Sequence, residues 1–175
     1  TLGAVAGVEE AVEAANKIGY PVILKAAAGG GGRGIFIIRS ETDLSESFQR
    51  CSEEARAAFG DGSLYVEKFC EYPRHVEIQV ACDKHGNRVY LGERDCSVQR
   101  RHQKLIEEAP CPILTPEIRK KMGEAAISLC KHVNYESVGT VEFLVDQDLS
   151  FYFMEMNTRI QVEHPVIELS LGIDL

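Results

Sequence analysis

The chain of 175 residues is short of positive charge: 19 Lys and Arg stand against 27 Asp and Glu, for a net charge of −8. That balance excludes nucleic acid and an anionic membrane surface as the main partner. Basic chemistry in this chain must be local and aimed at a small anion. Long hydrophobic runs are missing too, and none approaches the ~18 residues of a membrane span. There is no Cys-x-x-Cys, since the six cysteines at 51, 70, 82, 96, 111 and 130 lie at least 12 residues apart. Zinc-ribbon spacing is therefore excluded. The cysteines read as small buried hydrophobes in a reducing compartment, which points to the cytoplasm. Only 15 Gly and 6 Pro exclude a collagen-like chain. No Gly-Lys-Ser/Thr occurs, which excludes a Walker A loop.

What is present suits a globular protein, with 45% hydrophobic and 26% charged residues. A chain of this size buries a real core, as one compact domain or two small lobes. It opens at Thr1 with no initiator Met and no leader, and stops at Leu175 inside a helical pattern. A piece cut from a longer protein is expected.

Residues 8–18 read as a helix ended by Gly19. Pro21 to Lys25 and Ile35 to Ile38 read as strands on either side of a glycine run. Ser40 to Asp43 fits a capping box for a helix reaching Phe59. Ser63 to Cys70 is a strand. Val76 to Cys82 and Arg88 to Gly92 form a hairpin through Lys84 to Asn87. Thr115-Pro116 starts a helix that runs to about His132. Gly139 to Val145 and Ser150 to Met156 form a last hairpin, and 165–173 turns helical. Hairpins mixed with helices predict an α+β fold with mostly antiparallel sheets and flanking helices.

Three segments carry chemistry. Gly29-x-Gly31-x-x-Gly34 satisfies a dinucleotide pattern, but a β-branched run follows it where that fold needs a helix. A mobile loop between antiparallel strands remains, able to close its bare N–H groups over phosphates, with Lys25 anchoring them. An ordinary glycine-rich hairpin loop is the plainer alternative. Glu142 lies in one strand of the last hairpin, Glu155 and Asn157 in the other. A turn centred between Asp148 and Leu149 pairs Glu142 with Glu155, about 5 Å apart. Such a pair needs a cation between its carboxylates, and two Glu with one Asn suit Mg²⁺ or Mn²⁺. Two glutamates on an exposed face are the alternative. Finally, Thr158 to Pro165 alternates polar with apolar residues. If extended, it puts Arg159, Gln161 and Glu163 on one side, where a cation and an amide hold an oxyanion and a carboxylate takes its proton. The run Gln99 to Lys104 is a second basic group, or else a solvated basic face.

Together these residues resemble the central ATP-grasp portion of biotin carboxylase, over essentially the whole chain. The phrases are KAAAGGGGRG from Lys25 to Gly34, PRHVEIQ from Pro73 to Gln79, ERDCSVQRRHQK from Glu93 to Lys104, and EMNTRIQVEHP from Glu155 to Pro165. The last two are the specific ones. The resemblance implies an ATP-grasp ligase that makes carboxyphosphate from ATP and bicarbonate and then carboxylates biotin on a carrier protein. It implies a small lid lobe over 1–70 and a large lobe over 71–175, with a Rossmann-like domain before and further chain after. Lys25 and the glycines Gly30, Gly31, Gly32 and Gly34 would contact ATP phosphates. Glu67, Lys68 and Cys70 would form the adenine hinge, while His75, Gln99 and His102 line the ribose and phosphate side. Glu142, Glu155 and Asn157 would be the metal site. Lys104, Arg159, Gln161 and the Val162 backbone would hold bicarbonate, with Glu163 as its base. Biotin carboxyl carrier protein and carboxyltransferase are the implied partners, and a homodimer the implied parent. Ile167, before Glu168, stands where the family usually has Thr, and Leu169 to Gly172 replaces a more usual segment.

Two other functions fit parts of the pattern. Another ATP-grasp ligase, such as a carbamoyl-phosphate synthetase, shares the lysine strand and the Glu…Glu-x-Asn site. A nucleotide-binding module without turnover would follow from missing flanking domains.

Overall fold

Alternating apolar residues in Val22–Ala26 bury every second side chain, and this alternation organises the first half of the chain. The computed structural model describes residues 3–28, 34–101 and 103–175. The chain divides into two units, Thr1–Cys70 and Glu71–Leu175.

The first unit has β1 (Ala4–Val5), α1 (Val8–Ile18), β2 (Val22–Ala26), β3 (Ile35–Ile38), α2 (Glu41–Phe59) and β4 (Leu64–Lys68). Its sheet runs β1-β4-β2-β3 with every pair antiparallel. Val22, Leu24, Leu64 and Val66 pack with Ala11 and Ala15 of α1 and Leu44 and Phe48 of α2. Ser40 Oγ accepts the Asp43 N–H at 3.1 Å, as expected of a cap. The Asp43 carboxylate reaches back to the Arg39 N–H, one residue earlier than a capping box requires.

The second unit has β5 (Arg74–Cys82), β6 (Arg88–Arg100), β7 (Gln103–Glu108), α3 (Pro116–His132), β8 (Ser137–Val145), β9 (Phe151–Asn157) and α4 (His164–Leu171). Its antiparallel sheet runs β7-β6-β5-β8-β9. One face carries Val76, Ile78, Val80, Val141 and Phe143 against Met122, Ala126 and Cys130 of α3. Gly123 is required there: a Cβ would lie 2.6 Å from the Tyr90 ring. The other face of the same strands carries Glu77, Gln79, Thr140 and Glu142, and these are buried as well.

Two bulges set which residues reach that polar face. In β6, Val80 pairs with Tyr90 but Ile78 pairs with Glu93, so one extra residue enters at Gly92, whose φ is +89°. Only glycine adopts that φ at no steric cost. Beyond it the parity of β6 inverts. Glu93 turns toward α3, where Arg119 Nε meets it at 2.7 Å, and Arg94 turns to the polar face. In β9, Phe143 pairs with Phe153 but Glu142 with Glu155, so Met154 is the extra residue. Beside the turn the register is one residue off the expected one, and the bulge restores the expected Glu142–Glu155 pair.

Three sequence expectations need correction. Thr158 to Pro165 is not extended. After β9 the chain loops and turns at Gln161–His164, where the His164 N–H donates to the Gln161 carbonyl at 3.2 Å. Pro165 sits in the first turn of α4, a position that favours starting a helix. The Arg88–Gly92 strand continues to Arg100, and Gln99 to Lys104 is itself a hairpin in which Gln99 pairs with Lys104. The strand expected over Ser63 to Cys70 is shorter, Leu64–Lys68. The six cysteines are buried, as expected. Burial pushes the Cys51 and Cys111 thiols up to about 11 and Cys130 up to about 12. None of these three is a ready nucleophile at neutral pH. Among the described residues no helix is long and apolar enough to cross a membrane.

Candidate functional site

Burying carboxylates on a sheet face is unfavourable unless each finds cations and donors. In the second unit they find both. Lys104 Nζ lies 2.5 Å from Glu77 Oε2, 2.7 Å from Glu163 Oε1 and 3.0 Å from Glu142 Oε1. An ammonium has three N–H donors, and all three are engaged. Glu142 Oε1 also accepts from Asn157 Nδ2 at 2.9 Å and Gln161 Nε2 at 3.0 Å. Its Oε2 lies 2.7 Å from His75 Nε2. On the far side of that ring, Gln99 Nε2 meets His75 Nδ1 at 2.7 Å and the Cys96 carbonyl at 2.8 Å. The Gln99 amide therefore donates to Nδ1, which assigns the proton of neutral His75 to Nε2, facing Glu142.

Behind Lys104 lies Arg94, fully buried. Its Nε donates to Glu77 Oε1 at 2.5 Å and its two terminal nitrogens to Gln79 Oε1 at 2.8 Å and Thr140 Oγ1 at 3.4 Å. The electrostatics follow from these partners. Burial pushes Glu142 up, but the hydrogen bonds from His75, Lys104 and Gln161 outweigh it and hold the carboxyl down at about 2. Glu163 is likewise lowered, burial being outweighed by the Lys104 hydrogen bond. Lys104 is raised: burial opposes its charge, but Glu163, Glu77 and Glu142 favour it more.

This cluster opens into a cavity of about 990 Å³. His75, Gln99, Lys104, Glu142, Glu155, Asn157, Arg159, Gln161, Val162 and Glu163 all line it. The candidate bicarbonate and metal residues of the sequence reading are thus brought together in one unit. Arg159, Gln161 and Glu163 share the cavity through a loop and a turn rather than through a strand. The Arg159 guanidinium is turned to the Ile160 carbonyl, 3.2 Å away. Gln161 is 5% exposed, and its Oε1 is buried with no partner.

Glu142 on β8 and Glu155 and Asn157 on β9 offer hard oxygen donors of the kind a divalent metal takes. Among the described residues the acidic, histidine and cysteine groups whose ligand atoms converge are His75, Glu77 and Glu142, and Glu77, Cys96 and Glu163, with Glu155 in neither. Glu77, Glu142, Glu155 and Glu163 against Lys104, Arg94 and Arg159 leave one uncompensated negative charge.

The candidate nucleotide residues of the first unit are placed as follows. Lys25 is half-buried in β2 and pairs with Ile35 and Tyr65. Glu67 pairs with Ile23 in β4, and Cys70 is buried just past that strand. Lys68 donates to the Gly19 carbonyl at 3.0 Å, so its ammonium ties β4 to the end of α1. Gly34 has φ +73°, and a Cβ there would lie 2.9 Å from that of Ala26, so packing demands glycine whatever the loop binds. Gly30, Gly31, Gly32 and His102 lie outside the described residues.

Sequence reasoning missed Glu77, Gln79, Arg94 and Thr140. Their signal was present in the alternation of His75, Glu77 and Gln79 with Val76, Ile78 and Val80. Alternation of that kind usually marks a solvated face, and nothing local says that this one is covered.

All 175 residues match the family described as "Carbamoyl-phosphate synthase L chain, ATP binding domain". The chain is 57% identical over 173 residues to "Biotin carboxylase 1, chloroplastic" of Populus trichocarpa, covering 99% of this chain and 33% of that protein. It is 55% identical over 174 residues to "Propionyl-CoA carboxylase alpha chain" of Ruegeria pomeroyi, covering 99% and 26%. A solved relative is the biotin carboxylase domain dimer of the 2-oxoglutarate carboxylase of Hydrogenobacter thermophilus, in complex with MgADP, ADP and bicarbonate. It is 53% identical with a TM-score of 0.76, over 99% of this chain and 38% of that one. The chain thus spans about a quarter to two fifths of the length of these relatives.

Proposed function

The chain belongs to this family of ATP-binding domains, in its biotin carboxylase branch, and from that premise we propose that its parent carboxylates biotin on a carrier protein, using ATP and bicarbonate. The single observation that carries the reading is the cavity cluster of Lys104, Glu142 and Glu163 beside the unpartnered Gln161 Oε1. An anion that also carries an O–H fits that arrangement. Its oxygens take donors from Lys104 and Arg159, and its hydroxyl donates to Gln161 Oε1 or Glu163. Bicarbonate has this composition. The Val162 backbone completes the pocket wall.

Glu163 then takes the bicarbonate proton. A carboxylate paired to Lys104 at 2.7 Å is a weak base. Binding of the anion gives Lys104 a new acceptor, loosens its hold on Glu163 and raises the basicity of that carboxylate just when it is needed. Glu142, Glu155 and Asn157 would hold Mg²⁺ or Mn²⁺, which when bound shields the charge on the ATP phosphates. In the first unit Lys25, Gly30, Gly31, Gly32 and Gly34 would serve as phosphate contacts and Glu67, Lys68 and Cys70 as the adenine hinge; in the second, His75, Gln99 and His102 would serve the ribose side. A carrier protein and a carboxyltransferase are the partners of such an enzyme, and a homodimer its assembly.

The test is ATP cleavage by the full-length parent, with and without bicarbonate and with and without free biotin. Bicarbonate-dependent cleavage stimulated by biotin is expected. Cleavage indifferent to bicarbonate would overturn the reading.

A further inference from the structure

Arg94 touches neither the cavity nor any proposed ligand, yet it is the most deeply embedded cation of the second unit, with no exposed surface. A guanidinium buried to this degree is expensive unless each of its edges is satisfied. Here each edge has a partner, and the partners come from two other strands: Glu77 and Gln79 from β5, Thr140 from β8. Glu77 is equally buried and divides its carboxylate between two cations. Oε1 takes Arg94 Nε, and Oε2 takes Lys104 Nζ at 2.5 Å. Glu77 alone would be free to rotate about its terminal bond. With Oε1 fixed by a planar guanidinium, Oε2 has one direction left, toward Lys104. Arg94 itself reaches this face only because the bulge at Gly92 inverts the parity of β6.

We propose that Arg94 is the positioning residue of the site: through Glu77 it fixes the place of Lys104 Nζ, and so the geometry with which Lys104 holds a bound bicarbonate. This rests on the functional reading above. Lys104 has a four-carbon stem with several rotatable bonds. Glu142 and Glu163 are the partners it must loosen when substrates arrive. Glu77 is the one partner of Lys104 with no proposed substrate contact, so it is the anchor about which the ammonium pivots. Arg94→Lys would keep the charge but lose the planar fork. It could hold Glu77 or Gln79 well, not both together with Thr140.

The experiment uses the full-length parent with Arg94→Lys, Arg94→Met and the double change Glu77→Gln with Arg94→Met, which leaves no buried charge orphaned. Steady-state ATP cleavage is measured against bicarbonate, and Mg·ATP binding by calorimetry. Outer-layer partners of this kind typically contribute ~10–100-fold. The expected result is a rise of about that factor in the KM for bicarbonate for Arg94→Met and for the double variant, and a smaller rise for Arg94→Lys. Mg·ATP affinity should change less than about threefold, because no nucleotide residue is touched. A folded double variant with wild-type KM for bicarbonate overturns the proposal. So does an equal loss of bicarbonate and nucleotide affinity, which marks a purely structural residue. Should Arg94→Met fail to fold, Arg94→Lys and the double variant decide alone, and if neither folds the role is structural and the proposal falls. A wild-type parent without bicarbonate-dependent cleavage would instead overturn the functional reading on which this stands.

Discussion

The two units use one plan, an antiparallel sheet with helices on a face, for opposite ends. In the first, the strands bury one apolar face against α1 and α2, and the ion pairs described there, Lys17–Glu13 and Arg50–Glu54, lie on helix surfaces. In the second, β5 and β8 are buried on both faces, one apolar and one charged. A face buried with Glu77, Arg94 and Glu142 is held by complementarity rather than by area, and complementarity fails all at once when one member is removed. Rigidity in the second unit is therefore bought with charges that the proposed chemistry also uses, while the first unit keeps its core and its proposed contacts separate.

The largest test of that contrast is chemical. In the full-length parent, Glu163→Gln should lower bicarbonate-dependent ATP cleavage by ~10²–10⁴-fold while Mg·ATP affinity stays near wild type. Full rate in that variant would leave Glu163 as a positioning group. The next is stability. Glu77→Ala removes one member of the buried set and should destabilise the second unit by ~3–5 kcal/mol. Lys17→Ala in the first unit should change its stability by less than about 1 kcal/mol. Urea unfolding followed by segment-resolved hydrogen exchange separates the two, and equal effects would erase the distinction.

Acid should also divide the units. Glu142 is held at about 2 against an ordinary value of 4.5, and Asp95 is lowered too, burial being outweighed by Ser97 and Arg74. A depressed carboxyl contributes stability above its unfolded pKa and loses it as pH falls toward the folded one. Amides of β5 and β8 should therefore lose protection between about pH 4.5 and 2. The lowered carboxyls Glu13 and Asp61 of the first unit are exposed and should add little. Loss of protection in β2 before β5 on acidification would contradict this. The smallest effect should be the same in both units: Ser40→Ala and Thr115→Ala each remove one helix cap and should cost ~1 kcal/mol. Circular dichroism melts of the two variants check it.

Much of this was legible in the sequence because local rules carried it. Caps at Ser40 and Thr115, Pro116 in a first turn, Gly19 at the end of α1 and β-branched runs fixed three helices and most strands. The Glu142–Glu155 pair was legible for an incomplete reason, since the turn register was off by one and the bulge at Met154 made up the difference. The extended reading of Thr158 to Pro165 fails because alternation is also compatible with a loop and a turn, and Pro165, a helix starter, stands at its end. Arg94 stayed hidden because a bulge changes which face a residue occupies, and no local pattern marked Leu91-Gly92 as one, while Glu77 stayed hidden because its alternation with Val76 and Ile78 reads as a solvated face. The basic hairpin at Gln99 to Lys104 lacked apolar residues at the turn that would have marked paired strands.

The two bulges also give the sheet a reserve of length. Removing Met154 would straighten β9 yet leave Glu155 opposite Glu142, and removing Gly92 would leave Arg94 opposite Glu77. Each hairpin can thus absorb the deletion of one residue upstream without exchanging its faces. An added residue between Gly92 and Arg94, or between Met154 and Glu155, finds no such slack, and would carry Arg94 or Glu155 to the wrong side. Insertions and deletions of equal size should be tolerated unequally in this sheet, and natural variation in length should collect on the turn side of the bulges.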